Sequence, residues 1–227
     1  MALPAVSLRP GTGVAPAWHH HGVPAPPLTA AVEELAAADP VLAGLISRHG
    51  PPPPRRRVPV ARRFDYLARG IVYQQLAGRA AASIHGRMVE ALGGTVTVER
   101  VLATPEAQLR ACGLSGAKTA SLLDLADKVA SGQVALERMG RLPDDDVVAH
   151  LTVVRGIGPW TAQMFLMNAL GRLDVWPTGD YGVRAGFARA WGMDALPDPK
   201  DLHGLGEPFR PFRSVVAWYC WRAADEG

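Results

Sequence analysis

The stretch from Leu151 to Phe187 constrains the fold more than any other part of this 227-residue chain. It opens with a helical pattern and then turns tightly at Gly156-Ile157-Gly158. Pro159 follows at the position that proline favours at the start of a helix. Apolar side chains then recur at helical spacing, at Trp160, Met164, Met167 and Leu170. The sequence therefore predicts two helices joined by a glycine turn.

Such a glycine turn exposes backbone N–H groups at a helix N-terminus, where the helix dipole also favours an anion. A nucleic-acid phosphate fits this kind of nest without any side-chain charge. Gly-x-Gly alone is nevertheless more typical of an ordinary turn between helices. The residues around the turn distinguish a phosphate-binding turn from an ordinary one.

Those residues form the pattern L-x-x-V-x-G-I-G-x-x-T-A from Leu151 to Ala162, which matches a helix-hairpin-helix motif. With Asp180 following, the chain resembles the helix-hairpin-helix (HhH-GPD) DNA glycosylase superfamily of base excision repair. The nearest likeness is to the 3-methyladenine DNA glycosylase II type, which removes alkylated purines, and it extends over roughly residues 39–224. The resemblance implies an all-α fold of two helical lobes, with the hairpin and an active-site cleft between them.

Composition agrees with these expectations. The chain is 48% hydrophobic with a net charge of +3, which permits a polyanionic partner without demanding one. Two cysteines, Cys112 and Cys220, cannot supply the four-cysteine iron–sulfur loop of some relatives, so no such cofactor is expected. No apolar run is long enough for a membrane span, and a signal peptide pattern is missing. We expect a cytoplasmic monomer with no membrane partner.

Outside this stretch, several segments have two interpretations. Residues 1–28, with His19–His21, are expected to form a disordered tail rather than a metal site, ahead of a helical domain over 29–227. The arginines at 55–57 follow a proline linker and either touch DNA or are merely solvated. Asp144–Asp146 are expected in the first turn of a helix rather than in a metal site.

Further helices are predicted from periodicity and capping residues, and no convincing strand pattern appears. Thr104 is expected to cap one of them, and Leu76 to continue the apolar face that begins at Phe64. The segment containing Pro197, Pro199 and Pro208 has no clear pattern. The predicted helices are 29–38, 40–50, one from Phe64, 80–92, 104–112, 115–130, 159–170, 180–191 and 212–224.

Asp180 is the candidate catalytic residue, since it stands where the family's catalytic aspartate stands. Breaking an N-glycosidic bond builds positive charge on the sugar, and a nearby carboxylate stabilises that charge. Asp180 is equally placed to cap the helix that begins at Tyr181, and both roles are expected together. Alkylated purines leave easily, so a strong general acid is not required.

The base must leave the helical stack and enter a pocket. The resemblance places aromatic rings near it at Trp160 and Trp221, where an indole stacks on a cationic purine. Met164 stands where close relatives often have an aromatic residue. Core packing is the alternative for Trp221 and, still more, for Trp218.

For duplex DNA carrying a damaged base, the resemblance implies contacts from Gly156, Ile157, Gly158 and Thr161 of the hairpin. The Gln74-Gln75-Leu76 junction corresponds to the segment whose side chain fills the gap left by the base. Alternatively, Gln74 and Gln75 are polar residues at a helix end with no role in DNA binding. Lys118 is either a phosphate contact or a solvated lysine.

The resemblance also implies a monovalent cation, Na⁺ or K⁺, held by hairpin carbonyls. The candidate residues are Thr152, Val154 and Ile157. No side-chain pattern tests this expectation.

Competing functions remain at this point. Bifunctional relatives carry a lyase lysine two residues after the second hairpin glycine, but here that position is Trp160, which favours a monofunctional enzyme. A DNA-binding module without catalysis would not require Asp180. A purely structural helical scaffold would leave the hairpin and the tryptophans unexplained.

Overall fold

The computed structural model describes residues 27–54 and 56–226, and all regular structure in this part of the chain is helical. The predicted all-α class is confirmed. Short 3₁₀ turns cover Val60–Arg62 and Glu207–Phe209, and a π-helical segment covers Phe165–Ala169. The α-helices are α1 Leu28–Ala38, α2 Pro40–His49, α3 Arg63–Tyr73, α4 Gly78–Ala91, α5 Val98–Ala103, α6 Glu106–Ala111, α7 Gly116–Ala130, α8 Asp144–Thr152, α9 Pro159–Met164, α10 Tyr181–Ala190, α11 Pro199–Leu205 and α12 Arg213–Asp225.

These helices fall into two compact units. The terminal unit combines residues 27–54 with residues 172–226, so both ends of the described chain build it. The middle unit comprises residues 56–171. The hairpin therefore belongs to the middle unit, and Asp180 belongs to the terminal unit. The histidines at 19–21 and Arg55 lie outside the described residues.

None of the described helices combines the length and the apolar character that crossing a membrane requires.

Several predicted helix starts are confirmed by their capping bonds. The Asp39 carboxylate accepts the N–H of Leu42 at 2.9 Å, and the Ser115 hydroxyl accepts the N–H of Lys118 at 3.3 Å. Asp144–Asp146 occupy the first turn of α8, as expected. Each of these features depends on residues within one helical turn, which explains why the sequence predicts them.

The prediction that Thr104 caps a helix is wrong. Its hydroxyl instead donates to the carbonyl of Arg100 at 2.7 Å and so closes the end of α5. Pro105 precedes α6, whose first residue is Glu106. Two helices were not predicted: α5, which Thr97 caps, and α11, which Asp198 caps. Both helices are too short for a clear apolar period.

The predicted helix over 159–170 is interrupted rather than regular. Helix α9 ends at Met164, and the chain continues as a π-helix over Phe165–Ala169. The N–H of Leu170 bonds to the carbonyl of Phe165 at 3.1 Å, five residues back, which widens the last turn. The carbonyl of Ala169 also accepts the N–H of Val58 at 2.9 Å, so a distant segment holds this turn.

The terminal unit is organised by close packing of α10 against α12. A Cβ atom added at Gly186 would overlap the backbone carbonyl of Cys220, so only glycine permits this approach. Upstream of α10, the buried Asp174 carboxylate accepts from Arg213 Nε at 2.7 Å. The backbone N–H of Val175 donates to the Ser214 hydroxyl at 2.9 Å. The start of α12 is thus tied to the segment that leads into Asp180.

In the middle unit, the predicted apolar face of α3 is largely confirmed. Phe64, Leu67, Ile71 and Val72 are all buried. Leu76 does not share this face, because α3 ends at Tyr73 and the Leu76 side chain is 38% exposed. Other fully buried side chains of this unit include Met88, Leu109, Leu122, Leu125, Met139, Leu151 and Phe165.

Candidate active site and nucleic-acid interface

The glycine turn joins α8 to α9 as predicted, and its two glycines have different environments. Gly156 has φ +75°, and a Cβ atom there would overlap Ser121 Oγ of α7. Gly158 has φ −91°, and an added Cβ would meet nothing within 4 Å. Gly156 is therefore required for the fold of the turn, while Gly158 leaves open space at the start of α9.

Helix α7 fixes the other side of this turn through Asp124. Its Oδ2 accepts the backbone N–H of Arg155 at 2.7 Å, and its Oδ1 accepts from Lys128 Nζ. Burial raises the pKa of Asp124, but these hydrogen bonds outweigh it, and the net pKa lies below the ordinary value of 3.8. The Asp124 carboxyl group is therefore ionised when it binds the hairpin backbone. No sequence motif identified this contact.

The carbonyls considered for a monovalent cation lie at the end of α8 and in the turn. Thr152 is the last residue of α8, where carbonyls lack partners within the helix and the dipole favours a cation. The Val154 carbonyl accepts the N–H of Ile157 at 3.0 Å, which leaves one of its two lone pairs. Neutral carbonyl oxygens of this kind suit Na⁺ or K⁺, so the residues fit the implied ion. Among the described residues there is no cluster of three His, Cys, Asp or Glu side chains.

The Gln74-Gln75-Leu76 junction contacts the hairpin directly. Gln74 Nε2 donates to the carbonyl of Gly156 at 2.9 Å and lies 3.4 Å from Thr161 Oγ1. Gln75 is exposed and has φ +55°, the one positive φ among the described residues other than glycine. Gln74 thus has a structural task, and Gln75 and Leu76 are presented to solvent.

Lys118 is not a simple surface lysine. Its ammonium donates to the carbonyls of Val72 at 2.8 Å and Gln74 at 2.7 Å. Burial lowers the pKa of Lys118. The Lys118 ammonium therefore lies at the C-terminal end of α3, where the helix dipole favours a positive charge.

Trp160 and Met164 lie one turn apart on α9 and share a face of that helix. Trp160 is 47% exposed. Met164 is half-buried, and its carbonyl accepts from the Tyr66 hydroxyl at 3.5 Å. The base-contacting role of Trp160 stays a prediction.

Asp180 caps α10, as predicted, by accepting the N–H of Val183 at 2.8 Å. The same Oδ1 atom accepts a second hydrogen bond of 2.9 Å from Trp221 Nε1 of α12. Two N–H groups thus present partial positive charge to this carboxylate. Nearby, burial and the charge of Asp180 both raise the pKa of the Cys220 thiol, which keeps that thiol neutral.

Trp221 can approach Asp180 because Gly182 has no side chain. A Cβ atom at Gly182 would lie 2.9 Å from Trp221 Cδ1 and 3.2 Å from Asp180 Oδ1. Trp218, one turn earlier on α12, is half-buried and stacks edge-on with Tyr219 at 5.0 Å. Tyr181, which directly follows Asp180, is 72% exposed, and no sequence motif singled it out.

Comparison with known protein families identifies the family of this chain. The sequence profile of the "HhH-GPD superfamily base excision DNA repair protein" family matches residues 68–211, more than half of the chain. The chain belongs to the HhH-GPD superfamily. The predicted family is confirmed, and the matched range includes both the hairpin and Asp180.

Individual HhH-GPD proteins resemble the chain over most of its length. DNA-3-methyladenine glycosylase 1 of Schizosaccharomyces pombe is 30% identical over 200 residues, covering 87% of this chain and 88% of the relative. A solved structure of 3-methyladenine DNA glycosylase from that yeast, in complex with abasic DNA, has a TM-score of 0.76 and 30% identity. The match covers 85% of this chain and 95% of that one. A DNA-3-methyladenine glycosidase structure from Bacillus halodurans gives a TM-score of 0.77 at 32% identity, covering 86% and 88%.

Proposed function

We propose that this protein is a monofunctional DNA glycosylase of base excision repair, which hydrolyses the N-glycosidic bond of alkylated purines. The observation that carries the proposal is the Asp180 carboxylate, held by two N–H donors at the start of α10 in an HhH-GPD chain. Relatives that match over most of their length are named for 3-methyladenine, which supports that base as a substrate. We propose 7-methylguanine as a second substrate of the same class.

In this reaction the bond between the sugar C1′ and the purine nitrogen breaks, and the purine keeps the electron pair. Positive charge develops on the sugar, and the Asp180 carboxylate stabilises it. One unit charge pair at about 4 Å is worth about 4 kcal/mol at an effective dielectric of 20. That corresponds to roughly three orders of magnitude in rate. Water then adds to C1′ and loses its proton, which leaves an abasic site.

Binding of duplex DNA is assigned to the hairpin. The open space at Gly158 lets a phosphate approach the backbone at the start of α9, and the fixed Gly156 keeps the turn in shape. We further propose that Thr152, Val154 and Ile157 hold a monovalent cation, which would supply positive charge beside the phosphate. The complex of the yeast relative with abasic DNA supports this partner.

The residues of the hairpin do not favour a lyase step. The position that would carry the lysine is Trp160, whose indole offers no nucleophilic amine. Two lysines precede the hairpin, and both already have partners. The ammonium of Lys118 donates to two carbonyls of its own unit, and that of Lys128 donates to Asp124. We therefore propose water as the nucleophile and an intact strand as the product. We also propose that the enzyme acts as a monomer in the cytoplasm.

The experiment that tests the function is base release from duplexes carrying one methylated purine, hypoxanthine or ethenoadenine. We expect release of the modified base and an abasic product that alkali cleaves, whereas untreated strands stay intact. Borohydride added during the reaction should trap no covalent complex. Efficient trapping would overturn the monofunctional assignment, and the absence of release from every duplex would overturn the glycosylase assignment.

A further inference from the structure

The turn between α3 and α4 is held in an unfavourable backbone conformation. Gln75, at its tip, has φ +55°, a region that side chains larger than glycine seldom adopt. Both Gln75 and Leu76 are exposed, so their own side chains bury too little to enforce this shape. Non-glycine residues remain in such conformations only when surrounding contacts determine them.

Two of those surrounding contacts come from Lys118. Its ammonium donates to the carbonyl of Val72 at 2.8 Å and to that of Gln74 at 2.7 Å. The second carbonyl belongs to the peptide unit that leads directly into Gln75. Lys118 itself is fixed near the start of α7, where its N–H bonds to Ser115 at 3.3 Å.

A further contact ties the same turn to the hairpin. Gln74 Nε2 donates to the carbonyl of Gly156 at 2.9 Å. Gly156 is itself fixed, because its φ is +75° and Ser121 of α7 fills the space beside it. A continuous set of bonds thus runs from α7 through the turn to the glycine hairpin.

We propose that Lys118 is a positioning residue that fixes the Gln75-Leu76 tip relative to the hairpin, so that duplex binding by the hairpin delivers this tip to the damaged base pair. The proposal rests on the glycosylase function proposed above. The role differs from a phosphate contact, in which the ammonium would bind DNA and contribute to its salt dependence. Here the charge is used inside the protein, and its effect on DNA is exerted through the tip.

The two roles predict different behaviour for Lys118→Met. As a positioning residue, Lys118 matters when a base pair must be opened and matters little when the lesion is already unpaired. We expect single-turnover base release to fall about tenfold or more for a paired lesion, equivalent to about 1.4 kcal/mol. Release from a lesion in single-stranded DNA should change by less than about threefold, and the salt dependence of duplex affinity should stay that of wild type. Lys200→Met is the matched control, because Lys200 is exposed on α11 of the other unit.

Equal losses on paired and single-stranded substrates would overturn the proposal, and so would a shallower salt dependence with unchanged release. A double-mutant cycle adds a stricter criterion. If Lys118 acts through the tip, Lys118→Met should cost much less in a Gln75→Ala background than in wild type. Additive losses would contradict the proposed coupling. Gln74→Met, which removes the amide donor to Gly156, should reproduce the paired-lesion defect if Lys118→Met does not fold.

Base opening can also be followed without chemistry. In an Asp180→Asn background, 2-aminopurine beside the lesion should brighten when the base leaves the stack, and Lys118→Met should suppress this signal. If wild-type protein releases no base but the signal still depends on Lys118, the glycosylase proposal fails and the positioning proposal stands. If base release occurs and the signal is unaffected by Lys118→Met, only the positioning proposal fails.

Discussion

The indole Nε1–H of Trp221 donates a hydrogen bond of 2.9 Å to Oδ1 of Asp180. This bond joins a tryptophan expected to stack on the base to the aspartate expected to stabilise the sugar charge. The N–H of Val183 donates a second hydrogen bond to the same atom, so two donors fix the orientation of the carboxylate. The candidate catalytic group is therefore positioned by α12 as well as by α10.

Asp180→Asn should remove most base release and leave duplex affinity nearly unchanged. The amide oxygen can still accept from Val183 and Trp221, so the local fold should persist while the charge is lost. We expect a fall of roughly three orders of magnitude in the single-turnover rate. Gel-shift and excision assays on one preparation measure both quantities. Wild-type excision by this variant would disprove the assignment of Asp180.

Trp221→Phe separates stacking from hydrogen bonding, because phenylalanine keeps an aromatic ring but has no N–H. Losing a hydrogen bond to a charged group costs about 1.5–3 kcal/mol, so we expect base release to fall by about one to two orders of magnitude. The measurement is the excision rate at saturating enzyme. If the variant retains the wild-type rate, Trp221 acts by its ring alone.

Gly182→Ala should lower the rate of base release. The new methyl group would meet Trp221 Cδ1 at 2.9 Å and force the indole away from Asp180. The strain of this contact costs stability, and the gain of roughly 0.5–1 kcal/mol from replacing a helical glycine by alanine offsets part of that cost. Gly204→Ala on α11 is the control, since its Cβ would meet nothing within 4 Å. Equal excision rates for the two variants would show that the position of Trp221 does not matter.

Gly158→Val should weaken DNA binding while the protein stays folded. Its side chain would occupy the open space at the start of α9, where a phosphate is expected. Losing one charge-assisted hydrogen bond of about 1.5–3 kcal/mol predicts at least about a tenfold loss of affinity, for damaged and undamaged duplexes alike. Fluorescence anisotropy gives the affinity and circular dichroism the fold. Unchanged affinity in a folded protein would remove the phosphate nest from the mechanism.

Gly156→Ala should behave differently, since alanine would both strain a φ of +75° and overlap Ser121 Oγ. Overpacking of this kind typically costs about 1–3 kcal/mol of stability. Denaturant unfolding of the two glycine variants, measured side by side, distinguishes the structural glycine from the functional one. Equal stability of both variants would contradict the different environments seen here.

Asp124 predicts a pH dependence of stability. Its folded-state pKa is lowered below 3.8, so its contribution is complete above that value and is lost as the pH falls through the lowered pKa. Asp124→Asn should therefore destabilise the protein at neutral pH, and the difference from wild type should shrink in acid. Urea titrations at pH 7 and at about pH 3 measure it. A difference that is constant with pH would mean that the charge of Asp124 does not support the hairpin.

The family, the helical class and the features whose causes lie within one helical turn could all be predicted from the order of the residues. The caps at Asp39, Ser115 and Asp180 and the glycine turn at 156–158 depend on bonds between residues at most a few positions apart. The residue types at neighbouring positions are therefore enough to predict these features. Thr104 shows the limit of this reasoning, because a hydroxyl beside a proline can close the preceding helix as readily as open the next.

Contacts between groups far apart in the chain could not be predicted in this way. Trp221 and Asp180 are 41 residues apart, and Lys118 is 44 residues from the carbonyl of Gln74. Whether an indole N–H or an ammonium finds its partner within the protein or outside it depends on how helices pack. That packing turns on details such as the missing side chain at Gly186, where α10 approaches the backbone of α12. Periodicity and capping patterns describe each helix alone, and they carry no information about the side of a neighbouring helix that it will face.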